Sequence, residues 1–399
     1  MKMAARTTKQ LILANKPAGM PVLSGPDATF KLQTVTLPEL KEGEIVNNPD
    51  SYLEHNTYLE FYSCARCMPS QTMQANADLS RAQFPMSGSM SHLFTSARRE
   101  FTFPGLRHSN ILNSRAVLTR RSMRSGVIAE VLESKSPKIK AGDMVMDYHR
   151  GIWSELLILS DQECQLLAPL PNGLPLTHYL GTFGGSGLTS YTGLLYAGGA
   201  KRDSDQTVVV SAAGGATGSM VVQIAAKILK VKRVIGIAGS DEKCEWVKKI
   251  GAHECLNYKS PTFLEDLKAA TPDEVDIYYD NVGGAILDAM LPRMKRLGKG
   301  TIAVCGAIAQ YNADGKPMEL HNWCEVFSAR INIKGFIMFD FMEHVPAALQ
   351  ELIAAAADGR LDLSDAETVV QGTLEQQPEI WTRLYTGDNK GKLVTKLVA

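Results

Sequence analysis

The sequence predicts an α/β protein in which a doubly wound parallel sheet is combined with a β-rich domain. Two observations carry this prediction. From about Gly173 onward, short apolar runs alternate with stretches of helical spacing, a pattern typical of parallel strands joined by crossover helices. Before that point, strand-like runs are separated by turn residues and no helical period is sustained.

The N-terminal part begins with short strands. Gln10–Leu13 is the first of them, and turns are expected around Lys16–Gly19 and Gly25–Asp27. Three further runs continue in the same manner: Val127–Glu133, Asp143–Met146 and Leu156–Leu159. Together they indicate an all-β domain.

The parallel sheet begins with a complete βαβ unit. A valine strand, Val208–Val210, leads through a glycine-rich turn into a helix over Ser219–Lys230. Because Gly215 and Gly218 lack a Cβ, the turn can be tight and a pyrophosphate can approach the amides at the helix N-terminus. This glycine spacing is a variant of the usual fingerprint, so its weight lies in its context, which includes a second strand over Val231–Ala238.

The end of that second strand indicates which dinucleotide binds. An NAD site usually places Asp or Glu there for the ribose diol, whereas this chain has Ile237–Ser240. Ser240 can cap the next helix, and Lys243 is close enough in sequence to meet a 2′-phosphate. The pattern therefore favours NADPH over NADH. The alternative is that Ser240 is only a cap and Lys243 a solvated charge.

Three more strands are expected, over Glu254–Tyr258, Val275–Tyr279 and Thr301–Cys305. Between the last two, a helix is expected to end at Gly298 as its C-terminal cap. Its apolar face is Leu287, Met290, Leu291, Met294 and Leu297. The carboxyl ends of parallel strands form the ligand crevice of an open sheet. The strand ends deliver to it, in order, Gly218, Ser240, Tyr258, Asn281 and Gly306.

Composition argues against several classes of protein. The 42 Lys and Arg residues balance 42 Asp and Glu residues, so no basic field would hold nucleic acid or an anionic membrane. The run Leu11–Ala14 is too short for a signal sequence or a membrane span, which leaves a cytoplasmic location by default and a mitochondrial presequence as the alternative.

The seven cysteines are odd in number and scattered, which fits a reducing compartment rather than a disulfide framework. Cys64 and Cys67 form a CxxC, but no second pair or histidine stands at ligand spacing, so no metal site is predicted. Four others are interpreted as small apolar fillers: Cys244, Cys255, Cys305 and Cys324.

Seven ordered motifs support a resemblance to a known family. They are Gly184–Tyr191, Ser211–Ser219, Gly239–Cys244, Asn257–Lys259, Asp280–Gly284, Gly306 with Gln310–Asn312, and Gly387–Val394. On these motifs the chain, from about Met123 to the C-terminus, resembles the zinc-independent medium-chain dehydrogenase/reductase superfamily. The similarity is closest to its NADPH-dependent alkenal double-bond reductases, the branch that includes leukotriene B4 dehydrogenase/prostaglandin reductase.

The resemblance implies a GroES-like β-rich catalytic domain at 1–172 and an NADPH-binding Rossmann domain at 173–358. The segment 359–399 would return to the catalytic domain. It also implies a homodimer formed through edge strands of the nucleotide domain. The activity implied is reduction of the C=C bond of α,β-unsaturated aldehydes or ketones, a small-molecule enone substrate. A quinone reductase of the same superfamily and a catalytically impaired NADPH-binding protein are the alternatives.

The resemblance also implies duties for single residues. Tyr311 would be the catalytic residue, since a phenol beside the substrate oxygen can stabilise a developing enolate; alternatively it is a turn aromatic packed on the sheet end. Lys243 and Tyr258 would contact the adenosine end of NADPH. The other cofactor contacts are Ala213, Gly215, Ala216, Thr217, Gly218, Ser240, Asn281, Gly306 and Asn389.

Two stretches raise separate questions. Residues 47–122 do not resemble the family, and their apolar residues follow neither the helix nor the strand period. They are either a lineage-specific insert or a gene-model error. At the other end, Gly391–Val398 alternates like a half-exposed strand, which predicts that Lys392 is solvated rather than catalytic.

Overall fold

The computed structural model describes residues 6–15, 20–47, 52–54, 122–148, 151–311 and 316–398, which all fall in one compact unit formed by residues 1–60 and 119–399. Its strands are β1 (Thr7–Leu13), β2 (Phe30–Thr36), β3 (Glu44–Asn47), β4 (Tyr52–Glu54), β5 (Val127–Ser134), β6 (Met144–Asp147), β7 (Leu157–Ser160), β8 (Gln165–Leu166), β9 (Thr207–Val210), β10 (Arg233–Ala238), β11 (Glu254–Asn257), β12 (Ile277–Asp280), β13 (Thr301–Val304), β14 (Asn332–Gly335), β15 (Glu367–Gly372) and β16 (Lys392–Leu397). Its α-helices are α1 (Gly185–Thr192), α2 (Ala216–Gln223), α3 (Asp241–Lys249), α4 (Phe263–Ala270), α5 (Gly284–Met290), α6 (Ile308–Tyr311), α7 (Cys324–Ser328), α8 (Val345–Ala357) and α9 (Gln377–Thr386).

Six strands form a parallel sheet in the order β11-β10-β9-β12-β13-β14. The apolar runs predicted these strands because helices cover both faces of such a sheet, which leaves no polar side to the central strands. Val208, Val209 and Val210 of β9 are completely buried. The α/β fold class predicted from the sequence is confirmed.

A second sheet is mostly antiparallel, in the order β15-β16-β4-β5-β3-β7, with β6 beside β5 and β8 beside β6. Its last two strands, β15 and β16, come from the C-terminal segment and pair in parallel with each other. The chain therefore leaves the β-rich part, forms the parallel sheet and then returns to add two strands to the mostly antiparallel sheet. The domain boundaries at 172 and 358 stay predictions.

Two local predictions are wrong. The helix expected to run to Gly298 ends at Met290 and continues as a 3-10 turn over Leu291–Arg293, because Pro292 has no N–H to continue an α-helix. Leu297, placed on its apolar face, is instead 67% exposed. Lys392, predicted to be solvated, is buried within β16, where the interior lies on both sides of the strand.

Several sequence features fall outside the described residues: the turn at Lys16–Gly19, the Cys64–Cys67 pair and almost all of the atypical stretch at 47–122. Cys324, interpreted as a filler, is exposed on α7. Over the ranges that are described, no helix is both long and apolar enough to cross a membrane.

Candidate cofactor site

The glycine-rich turn joins β9 to α2. Ala212 adopts a left-handed conformation (φ 49°) and accepts a hydrogen bond from Gly215 N (2.9 Å). A Cβ on Gly218 would lie 2.2 Å from the carbonyl oxygen of Ala212, so only glycine allows the helix to start this close to the strand. The helix begins at Ala216, three residues earlier than predicted. The first-turn amides of Ala216, Thr217 and Gly218 have no acceptor within the helix, which is what an anion at this end requires.

Ser240 and Lys243 lie at the start of α3, after the end of β10. The hydroxyl of Ser240 accepts a hydrogen bond from Lys243 N (3.3 Å), which confirms the predicted helix cap. The side chain of Lys243 extends across Gly214 and its Nζ donates to Gly387 O (2.7 Å). Lys243 is thus partly buried and held between two segments.

The ammonium groups near Lys243 repel one another. Burial lowers the pKa of Lys243, and the charges of Lys259 and Lys390 lower it further, against the opposing effect of Asp388. Glu242 pairs with Lys390 and compensates part of this charge. A cluster of cations of this kind is stabilised when an anion binds among them.

Tyr258 follows β11 and lies beside the end of β10. Its ring is 3.1 Å from the position that a Cβ would take on Gly239, and it is 43% exposed. The ring therefore forms a wall next to Ser240, open to solvent on its other side.

Asn389 reaches the turn through the C-terminal segment. Gly391 N donates to Gly214 O (3.0 Å), which ties the segment to the glycine-rich turn, and the buried Asn389 donates from Nδ2 to Gly391 O (3.0 Å). The strand that follows, β16, anchors this segment in the other sheet. Asn389 and the turn are therefore brought together although they are far apart in sequence.

Asn281 is fixed by a buried network at the end of β12. Its Nδ2 donates to Ser211 O (2.8 Å), and its backbone N donates to Ser211 Oγ (2.9 Å). Asp280, fully buried, accepts from Tyr278 Oη and from the amides of Val282 and Gly283. Burial raises the pKa of Asp280, against the lowering effect of these hydrogen bonds. Sequence reasoning missed Ser211 and Asp280 as positioning residues, although a carboxylate at the end of an apolar strand was a usable signal.

Tyr311 lies at the end of α6, beyond β13. Its Oη accepts a hydrogen bond from Ala307 N (3.3 Å) and lies 3.3 Å from the position of a Cβ on Gly306. The same Cβ would be 3.2 Å from Asn281 O, so Gly306, Tyr311 and Asn281 share one corner of the sheet edge. Tyr311 therefore lies at the strand ends, where both a catalytic phenol and a turn aromatic packed on the sheet end would lie.

The predicted residues all lie at the carboxyl end of the parallel sheet, from Tyr258 past the glycine-rich turn to Tyr311. A tight turn with helix amides, a cation cluster and two positioned asparagines fit the pyrophosphate, the 2′-phosphate and the polar groups of a dinucleotide. In the part of the chain that the structure describes, no group of three or more His, Cys, Asp or Glu side chains could hold a metal ion. Such a fold and such a site define a dinucleotide-dependent dehydrogenase or reductase with a separate β-rich domain.

Comparison with known proteins agrees with this class. The model of the zinc-binding dehydrogenase family matches residues 216–355. Prostaglandin reductase 1 of Oryctolagus cuniculus is 39% identical over 284 residues, which cover 70% of this chain and 78% of that protein. The NADP(+)-dependent 2-alkenal reductase of Nicotiana tabacum is 39% identical over 269 residues, 67% of this chain and 75% of that one.

A solved structure extends the similarity to the whole chain. The crystal structure of CurA from Vibrio vulnificus in complex with NADPH superposes with a TM-score of 0.76 at 28% identity, and covers 98% of this chain and 99% of CurA. The chain belongs to the medium-chain dehydrogenase/reductase superfamily, in the branch of the alkenal and prostaglandin reductases. The resemblance inferred from the seven motifs is confirmed.

Proposed function

We propose that this protein is an NADPH-dependent reductase of the C=C bond in α,β-unsaturated aldehydes and ketones. The observation that carries the proposal is the position of the Tyr311 hydroxyl at the same sheet edge as the glycine-rich turn and Lys243. The names of the relatives support it, since one is a prostaglandin reductase and another an NADP(+)-dependent 2-alkenal reductase. CurA, similar over the whole chain, was solved with NADPH bound.

Different residues of the chain bind different parts of NADPH. The amides of Ala216–Gly218 hold the pyrophosphate, and Lys243 binds the 2′-phosphate with the ring of Tyr258 beside the adenosine. Asn281, fixed by Ser211, and Asn389, fixed by Gly391, bind the remaining polar groups. When bound, NADPH supplies the hydride that reduces the β-carbon of the substrate.

Tyr311 acts on the substrate oxygen. The hydrogen bond from Ala307 N to its Oη holds the phenol at the carboxyl end of the parallel strands. A phenol in that position donates to the carbonyl oxygen as enolate charge develops and thereby lowers the barrier to addition at the β-carbon. The proton that completes the reduction comes from Tyr311 or from solvent.

The test is steady-state turnover by the full-length protein with NADPH and a medium-chain 2-alkenal, alongside NADPH binding by fluorescence. We expect turnover with the alkenal and, in Tyr311→Phe, a fall in kcat of about a hundredfold with unchanged NADPH affinity, since the variant loses one donor to the oxyanion. Tyr196→Phe is the control, because the Tyr196 ring stacks on His344 and is not among the residues proposed to bind NADPH or the substrate. Tight NADPH binding without turnover would favour a catalytically impaired protein, and faster turnover of simple quinones would favour the quinone reductase.

Zinc independence is part of the same proposal. Zinc-dependent relatives of this fold need a Cys/His ligand set, and the sequence offers one CxxC without a second pair. Alkene reduction also needs no Lewis acid on an alcohol oxygen. We also propose a cytoplasmic location, since seven scattered cysteines fit a reducing compartment.

We further propose that the protein is a homodimer that pairs through β14. All four residues of this strand are exposed, and in the described part of the chain it has a partner strand on one side alone, β13. Just before it in the chain, Trp323 and Phe327 of the preceding helical segment are 51% and 72% exposed. An open strand edge with large apolar side chains is a surface that a second copy can cover.

A further inference from the structure

Two cysteines meet beneath the candidate adenosine site. Cys244 is the fourth residue of α3 and is 5% exposed, and Cys255 is in β11, partly buried. The helix packs on this strand, and each thiol shifts the pKa of the other. Both side chains lie in the layer where α3 packs on the edge of the parallel sheet.

Gly236 makes room for this contact. It pairs with Cys255 across β10 and β11, and a Cβ at this position would lie 3.0 Å from Cys255 Sγ and 2.6 Å from a methyl group of Val247. Val247 is three residues after Cys244 on α3, so both side chains project from one face of that helix. Cys255 Sγ therefore lies against the α3 face that carries Cys244.

The surroundings shift the pKa of the two thiols in opposite directions. The neighbouring Cys255 has the largest effect on Cys244 and lowers its pKa, against burial and the charge of Asp241, while Cys244 and burial raise the pKa of Cys255. The charge of Lys248 favours the thiolate at both positions. Cys244 is therefore the sulfur that ionises first, with Cys255 next to it to resolve an oxidised product.

We propose that Cys244 and Cys255 are a redox-active dithiol, which a hydroperoxide such as H2O2 oxidises to a disulfide joining α3 to β11. The Cys244 thiolate attacks one peroxide oxygen, so that an S–O bond forms, the O–O bond breaks and the departing hydroxide takes a proton to become water. The sulfur of Cys255 then attacks the Cys244 sulfenic acid. The S–S bond forms, the S–O bond breaks, and the leaving hydroxide takes the thiol proton of Cys255 to give a second water. In sum, two thiols and one H2O2 give one disulfide and two waters.

The disulfide has a consequence for the cofactor site, and this part rests on the proposed function. An S–S bond holds the two sulfurs about 2.05 Å apart and their Cα atoms within about 7 Å, so oxidation sets the position of α3 relative to β11. Ser240 and Lys243 begin α3, and Tyr258 follows β11 directly. The residues proposed to hold the adenosine end lie on both elements, and we expect oxidation to weaken NADPH binding.

The test is peptide mapping of the full-length protein after treatment with H2O2 and alkylation without reductant. Trypsin separates the two cysteines, because Lys243, Lys248, Lys249 and Lys259 flank the peptides 244–248 and 250–259. We expect these two peptides to be joined, about 2 Da below the sum of the two thiol peptides, and to separate with dithiothreitol. If both cysteines stay alkylated while the exposed Cys324 oxidises, or if either pairs with another cysteine, the proposal is overturned.

Binding measurements test the consequence separately. We expect the oxidised protein to bind NADPH about fivefold or more weakly, with recovery on reduction, since the displaced Lys243 loses part of a charge-assisted contact. Peroxide should leave affinity unchanged in Cys255→Ser and should still lower it in the control Cys324→Ser. Unchanged NADPH affinity in protein that carries the Cys244–Cys255 disulfide would overturn the predicted effect of oxidation on cofactor binding. A reduced protein that binds no NADPH would instead overturn the proposed function and leave the disulfide result standing.

Discussion

Lys243 is the residue at which cofactor choice can be measured. It lies in the first turn of α3, its side chain is partly buried, and its Nζ donates to Gly387 O. In Lys243→Gln we expect NADPH affinity to fall roughly ten- to a hundredfold, since a hydrogen bond to a charged group contributes about 1.5–3 kcal/mol. NADH has no 2′-phosphate, so its affinity should stay the same. Titration of both dinucleotides by fluorescence gives the comparison.

The matched control for this variant is Lys249→Gln, which removes an exposed charge from the other end of α3. It should leave both affinities within twofold, because the interactions of exposed charges are screened. Equal losses of NADPH and NADH affinity in Lys243→Gln would mean that Lys243 supports the fold of the site and does not read the phosphate.

Single residues show how far sequence reasoning extends. Ser240 and Lys243 were found because a strand end and a helix start lie next to each other in sequence, so their separation in space was fixed locally. Lys390 and Gly387 were not placed beside them, because they come about 145 positions later and meet α3 through the fold alone. Lys392 was misjudged for the same reason: alternation predicts one open face, and the contacts that close this face are long-range.

The 3-10 turn Leu176–Tyr179 and β15 are joined by a buried acid–base contact. His178 Nδ1 lies 3.3 Å from Glu367 Oε1, and both side chains are less than a tenth exposed. This distance would suit an ion pair, yet burial lowers the pKa of His178 to about 4 and raises that of Glu367 to about 7. Desolvation of both groups is stronger than their attraction, so between these pH values the contact is one between a neutral imidazole and a protonated acid.

Two neighbouring groups oppose the raised pKa of Glu367. Thr177 Oγ1 donates to Glu367 Oε2 (2.6 Å), and the charge of Lys392 also lowers the pKa of Glu367. Thr182 lies beside His178. None of these changes the sign of either shift, so folding takes up a proton at Glu367 between pH 4.5 and 7 and releases one from His178 between pH 4 and 6.5.

These opposite effects predict opposite slopes in two variants. Glu367 alone makes the protein less stable as pH rises from 4.5 to 7, whereas His178 alone makes it more stable as pH rises from 4 to 6.5. The stability of Glu367→Gln relative to wild type should therefore rise with pH, and that of His178→Asn should fall, each by at most roughly 1.4 kcal/mol per pH unit. Urea unfolding across pH 4.5–6.5 measures both. Parallel curves for the three proteins would show that neither group titrates abnormally.

At the level of elements, the presence of a strand or helix was easier to predict than the residues at which it begins and ends. The central strands β9 and β12 were found because a strand buried on both faces is mostly apolar, and the half-buried β11 was found from its place after a helix. β14 was missed, because its four residues are exposed and carry no such pattern. The helix beyond β12 was extended too far, because periodicity continued past Pro292, where the backbone can no longer follow it.

The assembly of the whole molecule can be tested at the open edge of its parallel sheet. Phe327→Asp replaces the 72% exposed phenyl ring of α7, the helix that precedes β14 in the chain, and should give a monomer, because each copy would lose the burial of a phenyl ring. At about 2 kcal/mol for each of two symmetric sites, the dissociation constant would rise about a thousandfold. Leu264→Asp is the control, since Leu264 is 66% exposed on α4, the helix that packs on β11 at the opposite edge of the sheet. Sedimentation velocity should show a dimer for wild type and control. A dimer in Phe327→Asp, or a monomeric wild type, would place the interface elsewhere or remove it.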